Sequence, residues 1–190
     1  MSELFNTLMQ IDANLLLWIQ ENVRSAELTP VMQGFSTLGN AGIFWIAVSI
    51  LLMIPKRTRR AGIISLASLV VAFCICNLWL KNAVARVRPY EVINGLTILI
   101  DAEDTWSFPS GHAASSFAAS VAILRCAKKW LGIPCVCVAA LIAFSRLYVG
   151  VHYPSDVIGG IAIGLVVALV LSAIFRKREE DDRRRRRARR

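Results

Sequence analysis

Residues 61–80 run for twenty positions without a charged side chain, about the length an α-helix needs to cross the hydrocarbon core of a bilayer. Four more apolar runs share this character: 38–54, 111–124, 131–144 (extending to about Leu147) and 157–175. In lipid every backbone polar group must be satisfied within its own element, and runs this long exceed barrel strands, so helices are predicted. The 111–124 run is small and rich in Ser and Ala, as in an inner helix packed on its neighbours. The expected fold is therefore all-α, a polytopic membrane bundle of five transmembrane helices. A sixth helix is expected at the N-terminus, over residues 4–23. There Leu4, Leu8, Ile11, Leu15 and Ile19 recur at helical spacing beside Asp12, Asn14 and Glu21. That mixture fits an amphipathic helix lying in the membrane interface better than a sixth span. It lacks the basic start and small-residue cleavage site of a signal peptide.

Composition agrees. Hydrophobic residues make up 56% of the chain, above the roughly 45–50% usual for soluble domains. At 190 residues one domain is the natural count: a membrane domain over 1–175 and a basic tail over 176–190. The formal charge of +9 is concentrated in that tail, which holds nine Arg and Lys177 against Glu179, Glu180, Asp181 and Asp182. Basicity confined to a tail gives no reason to expect nucleic acid; anionic lipids of the inner leaflet are the expected partner. Cys74, Cys76, Cys126, Cys135 and Cys137 lie in or beside apolar runs without C-x-x-C spacing, and read as small buried hydrophobes.

The short loops predict sidedness. Lys56, Arg57, Arg59 and Arg60 separate the first two runs, Arg125, Lys128 and Lys129 separate the third and fourth, and the tail follows the fifth. With five spans all three segments fall on one side, cytoplasmic by the positive-inside rule. The net-acidic N-terminal region then lies outside.

Three polar clusters gather at the opposite ends of the runs. The first, 81–89, carries Lys81 and Arg88 seven residues apart, two helical turns, so a shared helix face is expected, with Pro89 ending the helix. Arg86 would face away from that stripe. Ordinary juxtamembrane cations are the alternative. The second is Pro109-Ser110-Gly111-His112, where Ser110 suits an N-cap and the helix N-terminus offers free N–H groups to an anion; a capped helix with a surface histidine is the plain alternative. The third, 145–156, joins Arg146 to His152 and Asp156. Pro154 suits a first helical turn, so His152 should lie just before a helix and Asp156 within its first turn. Asp156 could then orient one imidazole nitrogen and leave the other to attack. The pair could also be a simple cap, or two metal ligands, although His112 is the only other histidine.

K-x6-R-P, P-S-G-H and S-R-x5-H-x3-D, in this order, resemble the three signature motifs of the type 2 phosphatidic acid phosphatase family. Eleven positions match, and the resemblance covers roughly residues 38–175. It implies a lipid phosphate phosphatase that needs no metal or other cofactor. It implies that Lys81, Arg88 and Arg146, with the backbone at Ser110 and Gly111, hold the phosphate. His152 would be the nucleophile, Asp156 its orienting partner and His112 the acid that protonates the leaving oxygen. The substrate that the resemblance suggests for a short chain of this kind is undecaprenyl pyrophosphate, with phosphatidylglycerophosphate or phosphatidate next, handled at the outer face of the plasma (inner) membrane. A lipid-phosphate transporter or binder using the same cations is the alternative from another class, but transport has no use for an oriented histidine. Residues 90–108, with Glu91, Asp101, Glu103, Asp104 and Trp106, read as a solvated loop or as a substrate gate.

Overall fold

The computed structural model of the protein describes residues 2–188. Among them the structure is helical without strands. Its nine α-helical segments are α1 Ser2–Asn22, α2 Leu28–Leu38, α3 Ile43–Met53, α4 Arg59–Phe73, α5 Lys81–Val84, α6 Pro89–Val92, α7 Gly111–Cys126, α8 Lys129–Tyr148 and α9 Pro154–Ala188. A 3-10 turn, Asn40–Gly42, joins α2 to α3, and a π-helical stretch, Cys74–Leu80, joins α4 to α5.

The Ser/Ala-rich run forms the centre, as its composition predicts. Helix α7 packs against α4, α8 and α9, and its residues 113–116 and 118–123 are buried. Small side chains let the neighbours approach closely. On α9 a Cβ at Gly160 would lie 2.5 Å from the Ser110 carbonyl oxygen, and one at Gly164 would lie 2.6 Å from that of Ala114. Buried serines tie the layers together: Trp45 Nε1 donates to Ser116 Oγ at 2.9 Å, Ser49 Oγ to Ser65 Oγ at 2.8 Å, and Ser65 Oγ to the Ala119 carbonyl at 3.2 Å. Outward faces carry large apolar side chains instead, among them Leu78, Trp79, Ile158, Val166 and Val170.

Three stretches are long and apolar enough to cross a membrane: Arg59–Val92, Lys129–Tyr148 and Pro154–Asp181. Segments Leu28–Leu38 and Asn40–Met53 pass that test only together, bent by 52°. The expected single span over 38–54 is thus interrupted. Ala41 adopts the left-handed φ of 51° and Gly42 one of 68°, so the helix breaks and restarts as α3, only 11 residues long. Its continuation backward, α2, had no counterpart in the apolar pattern. Helix α7 has 16 residues, short of the ~20 needed for a full crossing. The tail continues α9 as helix up to Ala188; Arg189 and Arg190 lie outside the described residues.

Helix α1 forms where the N-terminal periodicity places it, and its orientation is informative. Leu8, Ile11, Leu15 and Trp18 are exposed, while Asp12, Leu16 and Ile19 are buried on the side facing α8 and α9. The acidic residue points inward, and of the apolar row only Ile19 does; the side chain of Leu4 lies outside the described residues.

The ends of the bundle differ in chemistry. From Pro154 to Glu179 α9 rises about 37 Å at 1.5 Å per residue, and there Glu179 Oε2 accepts from Arg60 Nη1 at 2.6 Å. The basic residues flanking the α3–α4 turn therefore sit far from the three polar clusters.

Candidate active site

Each cluster reaches the same end of the bundle by its own local device. For Lys81 and Arg88 that device is not a shared helix face, and the expectation from spacing is corrected. The helix stops at Val84, because Ala85 turns left-handed at φ 48°, and Arg88 follows in extended conformation before Pro89 starts α6. The two cations converge on Thr105 from different segments. Lys81 Nζ donates to Thr105 Oγ1 at 2.8 Å, and Arg88 donates to the same oxygen at 3.0 Å and to the Thr105 carbonyl at 2.8 Å.

Ser110 caps α7 as predicted, its hydroxyl accepting from Ala113 N at 3.5 Å. Its own N–H is taken, since it donates to the Asp156 carbonyl at 3.0 Å. The donors left for an anion are the N–H groups of Gly111 and His112, the first two of a helix and so without intrahelical acceptors. His112 Nε2 lies 3.0 Å from Asn40 Oδ1, in the α2–α3 kink. Only glycine fits behind the ring, because a Cβ at Gly39 would stand 2.5 Å from His112 Cδ2.

Arg146, on the last turn of α8, is wholly buried, and Arg88 is 2% exposed. Between them stands a carboxylate. Glu103 Oε2 accepts from Arg88 Nη2 at 2.5 Å, and Glu103 Oε1 accepts from Arg146 Nη2; Arg146 also donates to Ser36 Oγ. Two oxygens of one anion bridging two guanidinium forks is the arrangement a phosphate would adopt. Burial alone would raise the Glu103 carboxyl, but Arg146 and then Arg88 outweigh it and hold the group down at about 2.

His152 lies just before α9, buried, with Asp156 in the first turn. Arg88 Nη1 lies 3.2 Å from His152 Nε2. Guanidinium can only donate, so Nε2 accepts and the ring proton belongs on Nδ1. That Nδ1 faces Asp156 Oδ2 at 3.5 Å without making the hydrogen bond the spacing suggested. Burial first, then Arg88 and Arg146, push the imidazole well below its usual pKa, which favours the neutral ring. The Asp156 carboxylate is itself fixed: Oδ2 accepts from Ser107 Oγ at 2.5 Å and from Tyr153 N at 3.0 Å, and Oδ1 accepts from Arg86 Nη1 at 2.6 Å.

The 90–110 segment roofs the site rather than waving in solvent. Leu99 N donates to the Val149 carbonyl at 3.1 Å, Gln20 Nε2 to Gly95 O at 2.9 Å and Gln33 Nε2 to Leu99 O at 2.5 Å. A cavity of about 380 Å³ runs beneath it, from Lys81, Glu103 and His112 to apolar Leu69 and Phe73, so its lining is polar at one end and apolar at the other. Among the described residues no group of three or more His, Cys, Asp or Glu is placed to hold a metal.

Fold and site together define a class: a helical membrane phosphatase fold with buried cations and two histidines gathered at one end. The chain belongs to the PAP2 superfamily, whose family model matches residues 61–180. It is 37% identical over 139 residues to an undecaprenyl-diphosphatase of Sulfolobus acidocaldarius, covering 73% of this chain and 66% of that protein, just under two thirds. It is 34% identical to a decaprenylphosphoryl-5-phosphoribose phosphatase of Mycobacterium tuberculosis, over 77% of this chain and 80% of that one. A Bacillus subtilis transmembrane PAP2 type phosphatidylglycerolphosphate phosphatase superposes with a TM-score of 0.76 at 25% identity, over 90% of this chain and 88% of the other.

Proposed function

We propose that the chain hydrolyses a phosphomonoester or pyrophosphate of a membrane lipid through a phosphohistidine, with undecaprenyl pyrophosphate the substrate that fits best. The observation that carries this is the Glu103 carboxylate spanning Arg88 and Arg146 next to His152 Nε2. Phosphate entering would displace that carboxylate and lie on both forks, with Lys81 and the N–H groups of Gly111 and His112 around it. Three cations stabilise the charge that develops in the transition state, the part a metal plays in other phosphatases.

His152 Nε2 then attacks phosphorus in line, forming the P–N bond as the P–O bond to the lipid breaks. Asp156 beside Nδ1 stabilises the ring as it becomes cationic. His112 gives its proton to the departing oxygen, then takes one from the water that cleaves the phosphohistidine, releasing phosphate and restoring both rings. His112 lines the same cavity as Leu69 and Phe73, which supports a lipid lying on the side where the leaving oxygen would need its proton.

Five crossings, counting the bent α2–α3 pair and α7, would put the basic turns and the tail in the cytoplasm and the site on the extracytoplasmic face, where the N-terminal helix would lie at the interface. A phosphatidylglycerophosphate substrate is the second reading, favoured by the backbone likeness to the Bacillus subtilis enzyme. Phosphate release from purified protein, measured on polyprenyl pyrophosphates and glycerophospholipid phosphates with EDTA present, decides. Release that survives EDTA and vanishes in His152→Ala supports the phosphatase, and the best kcat/KM names the lipid. Binding of these lipids without release by the intact chain would instead favour a transporter.

A further inference from the structure

One buried ion cluster joins Asp12, Arg86 and Asp156 on the side of Asp156 that faces α1. Asp12, on α1, is 4% exposed, although an acidic residue on a helix at a bilayer surface would ordinarily face water. Its Oδ2 accepts from Arg86 Nη2 at 2.7 Å, and its Oδ1 accepts from Ser155 N at 3.0 Å in the first turn of α9. Arg86 spends its other arm on Asp156 Oδ1 at 2.6 Å and Ser155 Oγ at 2.7 Å. Its guanidinium carbon lies 3.8 Å over the Tyr153 ring, next to His152 in the chain. One fork thus joins two carboxylates, one belonging to the histidine pair and one brought by the N-terminal helix.

We infer that Asp12 and Arg86 are positioning residues, through which α1 holds Asp156 in the rotamer that faces His152 Nδ1. The inference rests on the phosphohistidine chemistry proposed above. With Oδ1 pinned by Arg86, Oδ2 is left toward the imidazole at 3.5 Å. Asp12 in turn keeps the Arg86 fork from swinging wholly onto Asp156, because two carboxylates share it. The Arg86 carbonyl accepts from Ser107 N at 2.8 Å, and Ser107 Oγ donates to Asp156 Oδ2, so the two residues that hold the carboxylate oxygens are themselves tied together.

The test is steady-state hydrolysis of undecaprenyl pyrophosphate by the purified, full-length chain in detergent. Asp12→Asn and Arg86→Met lower kcat by about 10- to 100-fold, the usual cost of removing a partner that orients a reacting group, with KM within about twofold. The double variant loses no more than the worse single one, because both act through one contact. Asn22→Ala, which removes a side-chain contact within the same helix, from Asn22 Nδ2 to the Trp18 carbonyl at 2.9 Å, leaves kcat unchanged. If either variant fails to fold, Arg86→Lys carries the test: a point charge cannot bridge both carboxylates, so kcat falls while orthovanadate still counts the folded sites. Unchanged kcat in Asp12→Asn or in Arg86→Lys, or an equal loss in Asn22→Ala, overturns the positioning role and leaves the phosphatase standing. A wild-type chain that releases phosphate from no lipid removes both.

Discussion

At the scale of single residues the account depends on buried arginines and the carboxylate between them. Replacing Arg88 by Lys keeps the charge but loses the fork that reaches Thr105, Val151, Glu103 and His152 together; kcat/KM on the preferred lipid should fall about 100-fold or more, as point charges replace bidentate contacts poorly. Glu103→Gln should act the other way on anion affinity. With its charge gone, orthovanadate no longer displaces a paired carboxylate, and its Kd should tighten about tenfold, a shift of about 1.4 kcal/mol; weaker binding would assign Glu103 to holding substrate. The same residue gives a pH signature. Its folded pKa lies near 2, below the unfolded value, so its contribution to stability is present above about pH 4 and lost as pH falls toward 2. Melting curves in detergent should therefore decline more steeply over that window for the wild type than for Glu103→Gln. The eleven motif positions were legible because each combines an unusual residue type with fixed spacing. Glu103, Arg86 and Asp12 were not, since a lone charge in a loop or amphipathic helix looks the same in sequence whether it meets water or an arginine.

Helices and their breaks explain what else the pattern hid. Hydropathy locates where α4, α7, α8 and α9 run, because each has a long uncharged stretch, but it cannot see a bend. The α2–α3 kink lies inside an apolar run, marked only by Gly39-Asn40-Ala41-Gly42, and it is this kink that brings Asn40 and Gly39 against His112. Gly39→Ala should accordingly cost kcat well before it costs stability, since the added methyl meets both His112 Cδ2 and Ile142 Cγ2 below 3 Å; a variant of normal rate would show that His112 can shift freely. The turn at Ala85 is the second hidden break. A seven-residue spacing suggested a continuous helix, whereas a left-handed residue redirects the chain and brings Arg88 back to Lys81 through Thr105. Left-handed φ costs a residue with a Cβ about 1 kcal/mol, so Ala85→Gly should raise the melting temperature slightly with activity retained. A drop in melting temperature would argue that the Ala85 methyl packs.

For the whole molecule, the arrangement explains how a short chain gathers distant polar residues at one end of the bundle. A small-residue helix, α7, lets α4, α8 and α9 converge, and their ends at one pole carry Lys81, His112, Arg146 and His152 while a pinned loop closes over them. The buried arginines are tolerated because Arg88 and Arg146 both pair with Glu103, and removing one partner of such a pair typically costs about 3–5 kcal/mol. The central proposal is that both histidines address one phosphorus atom, with His152 taking the phosphoryl group. Rapid quenching of His112→Ala during turnover of lipid carrying a radioactive terminal phosphate tests it directly. With the proton donor and water activator removed, an acid-labile, base-stable phosphoryl group should accumulate on the peptide that contains His152, and the additional change His152→Ala should abolish it. Phosphate release from His112→Ala with no label on that peptide, or label on another residue, would contradict the account.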